Sequence, residues 1–125
     1  MIHLDTSFLI RSLVSRSPED GQLRAWLTRG EPLGICAIAW SEFLCGPARP
    51  DAVELASRLV GSPAPFTADG AHRASRLFNL GGRRRGSFVD CMIAAVAIGA
   101  DASLATSNPS DFARFQPAGL RLVTA

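Results

Sequence analysis

The chain is predicted to be an α/β protein, with a central, mostly parallel sheet of about five short strands and helices on both faces. Two observations predict this. Short apolar runs alternate along the whole length with stretches whose apolar residues recur at helical spacing. Helical segments therefore separate the successive strands, and parallel pairing requires such crossover connections. Glycine or proline marks most of the junctions.

In chain order, Ile2–Asp5 reads as a first strand. Thr6–Val14 follows with apolar residues at Phe8, Leu9, Leu13 and Val14, a helical spacing. Ser17-Pro18-Glu19-Asp20 supplies a cap, a proline at the first helical position and acids in the first turn, so a second helix runs to about Arg29 and stops at Gly30. Leu33–Ala37 is a second strand and Ile38–Cys45 a short helix ended by Gly46-Pro47. Pro50 to Val60 is helical as far as Gly61, and Ala64–Thr67 is a weak third strand. Thr67 or Asp69 then opens a helix that reaches Leu80. The glycines of Gly81-Gly82-Arg83-Arg84-Arg85-Gly86 make that segment a loop. Ser87–Ile98, apolar nearly all round, is the most buried helix and ends at Gly99. Ser103–Thr106 is a fourth strand, Pro109–Phe115 a short helix and Leu120–Thr124 the last strand.

A length of 125 residues suits one domain, residues 1–125, with a single sizeable core. An apolar fraction of 47% against 19% charged excludes a disordered chain. The net charge of +2 comes from 13 arginines and no lysine against 11 acids, a mildly basic balance compatible with nucleic acid. Mechanisms that need a lysine are excluded. Cys36, Cys45 and Cys91 are odd in number, lie in apolar runs and lack C-x-x-C spacing, so buried reduced thiols are expected rather than a zinc site or disulfides. No signal peptide precedes the first strand, and the longest apolar run, Cys91 to Ala100, is too short to span a bilayer. A soluble, cytoplasmic protein with no membrane partner is the expectation.

Acidic residues carry the functional signal. Asp5 closes the first strand, Glu42 lies inside the apolar stretch Ala37–Cys45, Asp90 opens the run Cys91–Ile98, and Asp111 follows the turn Ser107-Asn108-Pro109. In a parallel sheet, ligands bind at the carboxyl ends of the strands, and Asp5, Glu42, Asn108 and Asp111 all fall at or just beyond such ends. Each acid also has a plainer reading. Asp5 could cap the first helix, Ser87 and Asp90 resemble a capping box, and Asn108-Pro109-Ser110-Asp111 is an ordinary helix start. Glu42 has Ile38, Ala39, Cys45 and Gly46 three and four residues away, which points it along an apolar face. If the acids converge, repulsion decides the matter: two carboxylates roughly 4 Å apart repel by about 4 kcal/mol at an effective dielectric near 20. Several together need a hard divalent cation such as Mg²⁺ or Mn²⁺, whose oxygen-donor preference suits phosphodiester hydrolysis.

Met1-Ile2-His3-Leu4-Asp5-Thr6-Ser7, Glu42, Asp90-Cys91-Met92-Ile93-Ala94-Ala95 and Leu104-Ala105-Thr106-Ser107-Asn108-Pro109-Ser110-Asp111-Phe112 together resemble PIN-domain ribonucleases, most closely the VapC-type toxins of type II toxin–antitoxin pairs. No single motif is specific, but the ordered set spans essentially the whole chain. The resemblance implies a PIN-like three-layer α/β/α fold and metal-binding catalytic acids at Asp5, Glu42 and Asp90. It leaves the fourth place open between Asn108 and Asp111, and it puts Thr6 and Thr106 at supporting hydroxyl positions. It further implies Mg²⁺- or Mn²⁺-dependent cleavage of RNA, commonly tRNA or rRNA, together with a homodimer and a neutralising antitoxin.

Arg83-Arg84-Arg85 could grip RNA phosphates or be a solvated loop. Trp26 and Trp40 occupy helical apolar positions and read as core or interface. His3 and His72 pair with no recognisable nucleophile motif. Two rival functions remain. Phospho-acceptor domains and aspartate-dependent phosphatases resemble families that rely on a lysine, which this chain lacks. A non-catalytic PIN-like RNA- or protein-binding module would bind RNA without cutting it.

Overall fold

The computed structural model describes residues 1–125. The strands are β1 (Ile2–Leu4), β2 (Leu33–Gly34), β3 (Ser103–Ala105) and β4 (Leu122–Val123). The helices are α1 (Thr6–Ser12), α2 (Pro18–Thr28), α3 (Ala37–Leu44), α4 (Pro50–Val60), α5 (Ala68–Leu80) and α6 (Phe88–Gly99). All strand pairs are parallel, in the order β2-β1-β3-β4, with Ile2 opposite both Leu33 and Ser103. Consecutive residues Ile2, His3 and Leu4 are all buried, which requires helices over both faces of the sheet. The expected α/β architecture is therefore present.

Differences from the expected elements are local. The weak strand at Ala64–Thr67 shrinks to one parallel bridge, Cys36 to Ala64, in which the Ala64 N–H donates to the Ile35 carbonyl at 2.8 Å. The first helix stops at Ser12, where the Ser12 hydroxyl donates back to the Leu9 carbonyl and the chain turns through Arg16 at φ 68°. The helix expected over Pro109–Phe115 becomes two 3-10 turns, Pro109–Asp111 and Ala113–Ala118. Pro117 interrupts that segment, and a proline has no N–H with which to extend an α-helical ladder. The expected caps at Ser17 and Thr67 form: their side chains accept from the Asp20 and Gly70 amides.

One contiguous core joins the sheet to α1, α3 and α6, with Phe8 stacked on the buried Trp26 at 5.4 Å between ring centroids. Trp26 is thus core, and Trp40 packs half-buried on Phe43. His3 is buried in β1 opposite Gly34, where a Cβ would stand 3.1 Å from the imidazole. Burial lowers its pKa, which favours the neutral ring. Cys36 and Cys91 are buried as expected, whereas Cys45 is exposed at the end of α3. No helix is long and apolar enough to cross a membrane.

Leu104 is fully buried in the interior strand β3, with α6 packed against that strand. Leu104→Ala is expected to lower the unfolding free energy by about 2–5 kcal/mol. Urea denaturation measures it, and an unchanged midpoint would contradict the central place given to β3.

Candidate functional site

The strand order reverses direction at β1. The chain leaves β1 for β2 on one side and later returns to β3 on the other, so a crevice opens at their carboxyl ends. Asp5 follows β1 and Thr106 follows β3 at that point. The Asp5 N–H still donates to the Ala105 carbonyl at 2.8 Å, which carries the β1–β3 pairing to the crevice edge.

Asp5 stands at the N-cap position of α1, yet its side chain makes no capping hydrogen bond. Its carboxylate, 6% exposed, is used sideways instead. Oδ2 accepts from the Ser7 hydroxyl at 2.7 Å and from the fully buried Thr106 hydroxyl at 2.9 Å. Those two hydroxyls in turn accept from the backbone: Ser107 N–H donates to Ser7 Oγ and Asn108 N–H to Thr106 Oγ1. Both donors and both acceptors are thereby satisfied, and Asp5 Oδ1 is left facing no protein donor.

Glu42 is exposed on α3, not turned along an apolar face; the buried positions of that helix are Ala39 and Phe43. The Thr6 hydroxyl lies 3.0 Å from Glu42 Oε1 and 3.1 Å from the Ala39 carbonyl and shares one proton between them. Asp90 is partly buried in the first turn of α6. The capping box with Ser87 does not form, because the Ser87 hydroxyl donates backwards to the Arg84 carbonyl at 2.6 Å. Burial pushes the Asp90 pKa up to about 6, and the negative charges of Asp111, Asp5 and Glu42 add to the effect, with Arg114 opposing them. All the acids singled out in the sequence therefore act on Asp90.

The two claimants to the fourth place separate. Asp111 lines a cleft of about 270 Å³ together with Asp90, Arg84, Arg85, Ser87 and Arg114. Asn108 lines a different cleft, of about 640 Å³, beside Ser7, Arg11 and Glu19, and its side chain caps no helix. Of the arginine loop, Arg84 and Arg85 border the acids, while Arg83 folds back over the Phe78 ring and bonds Asn79.

Sequence reading passed over three participants. Ser7 enters the sequence reading only as the end of the Met1–Ser7 stretch, but it is the hydroxyl that joins Asp5 to the Ser107 loop. Glu19 looked like a first-turn acid of α2, but it is buried, held by Arg11 Nε at 2.7 Å and by the Ser107 hydroxyl at 3.2 Å. Arg114 gave no signal, since only the tertiary fold brings it to Asp90.

The donor chemistry suits a hard divalent cation: oxygen ligands only, with Asp90 and Asp5 Oδ1 free of protein donors. The placement is looser than a finished cage, and no three Asp, Glu, His or Cys side chains are grouped closely enough to hold an ion as they stand.

The raised Asp90 pKa has a defined sign. Between the ordinary carboxylate value and about 6 the folded protein holds a proton that the unfolded chain has lost, so stability falls as pH rises through that window. In EDTA, Asp90→Asn is expected to be more stable than the wild type at pH 8, with the difference shrinking towards pH 4. Urea midpoints across that range measure it, and a pH-independent difference would contradict the electrostatic account.

The model of the PIN domain family matches residues 2–116. Among curated proteins, none is similar in sequence. Solved structures do share the fold. A chain of VapBC2 from Rickettsia felis, bound to a DNA fragment from the promoter, superposes with a TM-score of 0.79 at 20% identity, covering 100% of this chain and 99% of that one. VapBC-1 from nontypeable Haemophilus influenzae gives 0.76 at 22%, covering 99% and 98%. VapC20 of Mycobacterium tuberculosis, a sarcin-ricin loop cleaving toxin, gives 0.68 at 19%, covering 96% of each chain. At such identities the likeness establishes the fold, and the family match over nearly the whole length establishes the membership: this chain belongs to the PIN-domain family.

Proposed function

We propose that this chain is a VapC-type toxin, a Mg²⁺- or Mn²⁺-dependent endoribonuclease that hydrolyses phosphodiester bonds of tRNA or rRNA in the cytoplasm. The observation that carries the reading is the crevice geometry: Asp5 at the end of β1, steadied through one oxygen by Ser7 and Thr106, with Asp90 and Asp111 lining one cleft. In a PIN-domain chain, carboxylates gathered at a sheet crevice are the groups available to hold a cation. Asp5, Glu42, Asp90 and Asp111 are the catalytic, metal-holding acids in this reading, and Asn108 is placed behind Asp111 because only Asp111 shares a cleft with Asp90.

When bound, the cation supplies charge neutralisation and an activated water for in-line attack. The chain's own residues do the positioning. Ser7 and Thr106 fix one oxygen of Asp5 and leave the other to bind. Thr6 restrains the exposed Glu42 carboxylate. Arg84 and Arg85 lie where the RNA backbone would approach the acids.

Two partners belong to the same reading. An apolar cleft bordered by Ile10, Leu13, Phe43, Pro47 and Ala48 offers a seat for a segment of a cognate antitoxin. Exposed Leu80, Phe88 and Val89 give apolar surface for a second copy in a homodimer.

Incubation of the purified protein with total RNA and Mg²⁺ or Mn²⁺ tests the activity. Metal-dependent cleavage is expected, with Asp90→Asn and Asp111→Asn slower by about a hundredfold or more and Asn108→Ala within a few fold of wild type. Equal cutting by wild type and Asp90→Asn would remove the catalytic assignment. RNA binding without cleavage under either metal would favour a non-catalytic module instead.

A further inference from the structure

Arg114 is the one charged side chain beside the acids that the proposed function does not use. Its position is built. Its stem lies over the last turn of α5, where a Cβ on Gly81 would come within 3.3 Å of Arg114 Cδ, so the glycine makes the room. Its guanidinium is held 4.4 Å from the centroid of the Phe115 ring, and Phe115 is itself buried. Stacking of that kind fixes a guanidinium without consuming its hydrogen-bond donors.

Those donors are unspent. Arg114 makes no ion pair, and its Nη2 is buried with no hydrogen-bond partner. A buried, unpartnered charged donor is costly, and because Nη2 is closed to solvent a ligand reaches it only with a rotation of this half-buried side chain. Every other member of its cleft is polar or glycine, including Arg84, Arg85 and Ser110, so the cleft offers three guanidinium groups and the Ser110 hydroxyl to an anion, the Ser87 hydroxyl being spent on the Arg84 carbonyl. Asp90 and Asp111 line the same cleft. They would repel an isolated anion, whereas a polyanion would be held where a cation on the acids meets its neighbouring phosphate.

We infer that Arg114, with Arg84 and Arg85, forms a subsite for an RNA backbone phosphate flanking the one that is cut. The inference rests on the nuclease reading for the place of the cut, but the phosphate contact is testable without cleavage. Arg114 is a positioning residue: it holds the strand in register with the acids and does not act on the scissile bond.

The experiment measures binding of a fluorescein-labelled oligouridylate by anisotropy in EDTA across a salt series. Asp90→Asn is the parent, which removes one repelling charge and prevents cutting. Adding Arg114→Met, which keeps a stem over Phe115, is expected to weaken binding about tenfold and to flatten the log–log salt slope by about 0.7. Adding Arg114→Lys is expected to keep the slope but lose about threefold in affinity, since a point charge replaces a planar fork. Thermal melting checks folding, and if the methionine variant does not fold, the lysine variant decides: parental affinity there overturns the subsite. Parental affinity and slope in Arg114→Met, or no binding by the parent, also overturn it. Metal-dependent cleavage by Arg114→Met at the wild-type KM would remove the subsite and leave the nuclease. A flattened slope in a protein that cuts no RNA would do the reverse.

Discussion

The hydrogen bond from Thr106 to Asp5, 2.9 Å long and closed to solvent, is the contact on which the rest of the site depends. It spans the ends of β1 and β3, the place where the strand order reverses, and joins residues 101 positions apart in the chain. It exists only because the parallel register brings Leu4 opposite Ala105, which delivers the next residue of each strand to the same level. A carboxylate with so little exposure needs donors, and hydroxyls from two elements provide them without neutralising it. Arginine in their place would satisfy the same oxygen and cancel the charge. Hydroxyls hold the acid still and bring no positive charge of their own, so a cation would meet no competitor there.

The fold was legible because its signals are local. Ser17 and Thr67 cap the helices they were expected to cap, and the apolar periodicity of Cys91–Ile98 marks the most buried helix. The short parallel strands were legible from the same alternation of period. What sequence could not show is direction. Asp5, Ser87 and Asn108 each occupy a position where a cap is the ordinary outcome, and none of their side chains caps. Asp5 found a tertiary partner in Thr106, Ser87 turned back to the Arg84 carbonyl, and Asn108 came to line a cleft with residues of α1 and α2. Glu42 failed the other way: apolar neighbours in sequence pointed it inwards, but a rotation of one residue puts Phe43 in the core and Glu42 outside. The helix period is 3.6, so a single glutamate amid apolar residues marks a face only to within one position.

The fourth acid shows the limit most clearly. Asn108 and Asp111 are three residues apart, and in an α-helix that spacing would have put them on one face. Asn108 instead stands outside the 3-10 turn Pro109–Asp111, with non-helical backbone at φ −125° and ψ 67°, and Phe112 just after the turn is buried in the core at 1% exposure. With that anchor in place, Asp111 is carried towards Asp90 and Asn108 towards the Ser7 side. The backbone at Asn108 and the burial of Phe112, neither of them legible from the spacing of the two polar residues, accompany that separation.

Buried Glu19 and partly buried Asp90 then separate by what stands beside them. Glu19 is held by Arg11 at 2.7 Å, and that hydrogen bond lowers its pKa below the ordinary carboxylate value. Asp90 has Arg114 close enough to oppose its shift but bonded to nothing, and three like charges around it, so its pKa rises to about 6. Glu19 is neutralised within the protein and needs no external partner, which makes it part of the frame that steadies the Ser107 loop. Asp90 is left in want of positive charge by an arginine that stacks on Phe115 instead of pairing with it. An arginine so placed leaves the acids free for a cation and keeps its own donors for an anion. In the proposed reading, where a metal and a phosphate sit side by side, that separation is required, because a direct Arg114–Asp90 pair would satisfy both groups and leave nothing to bind either ligand.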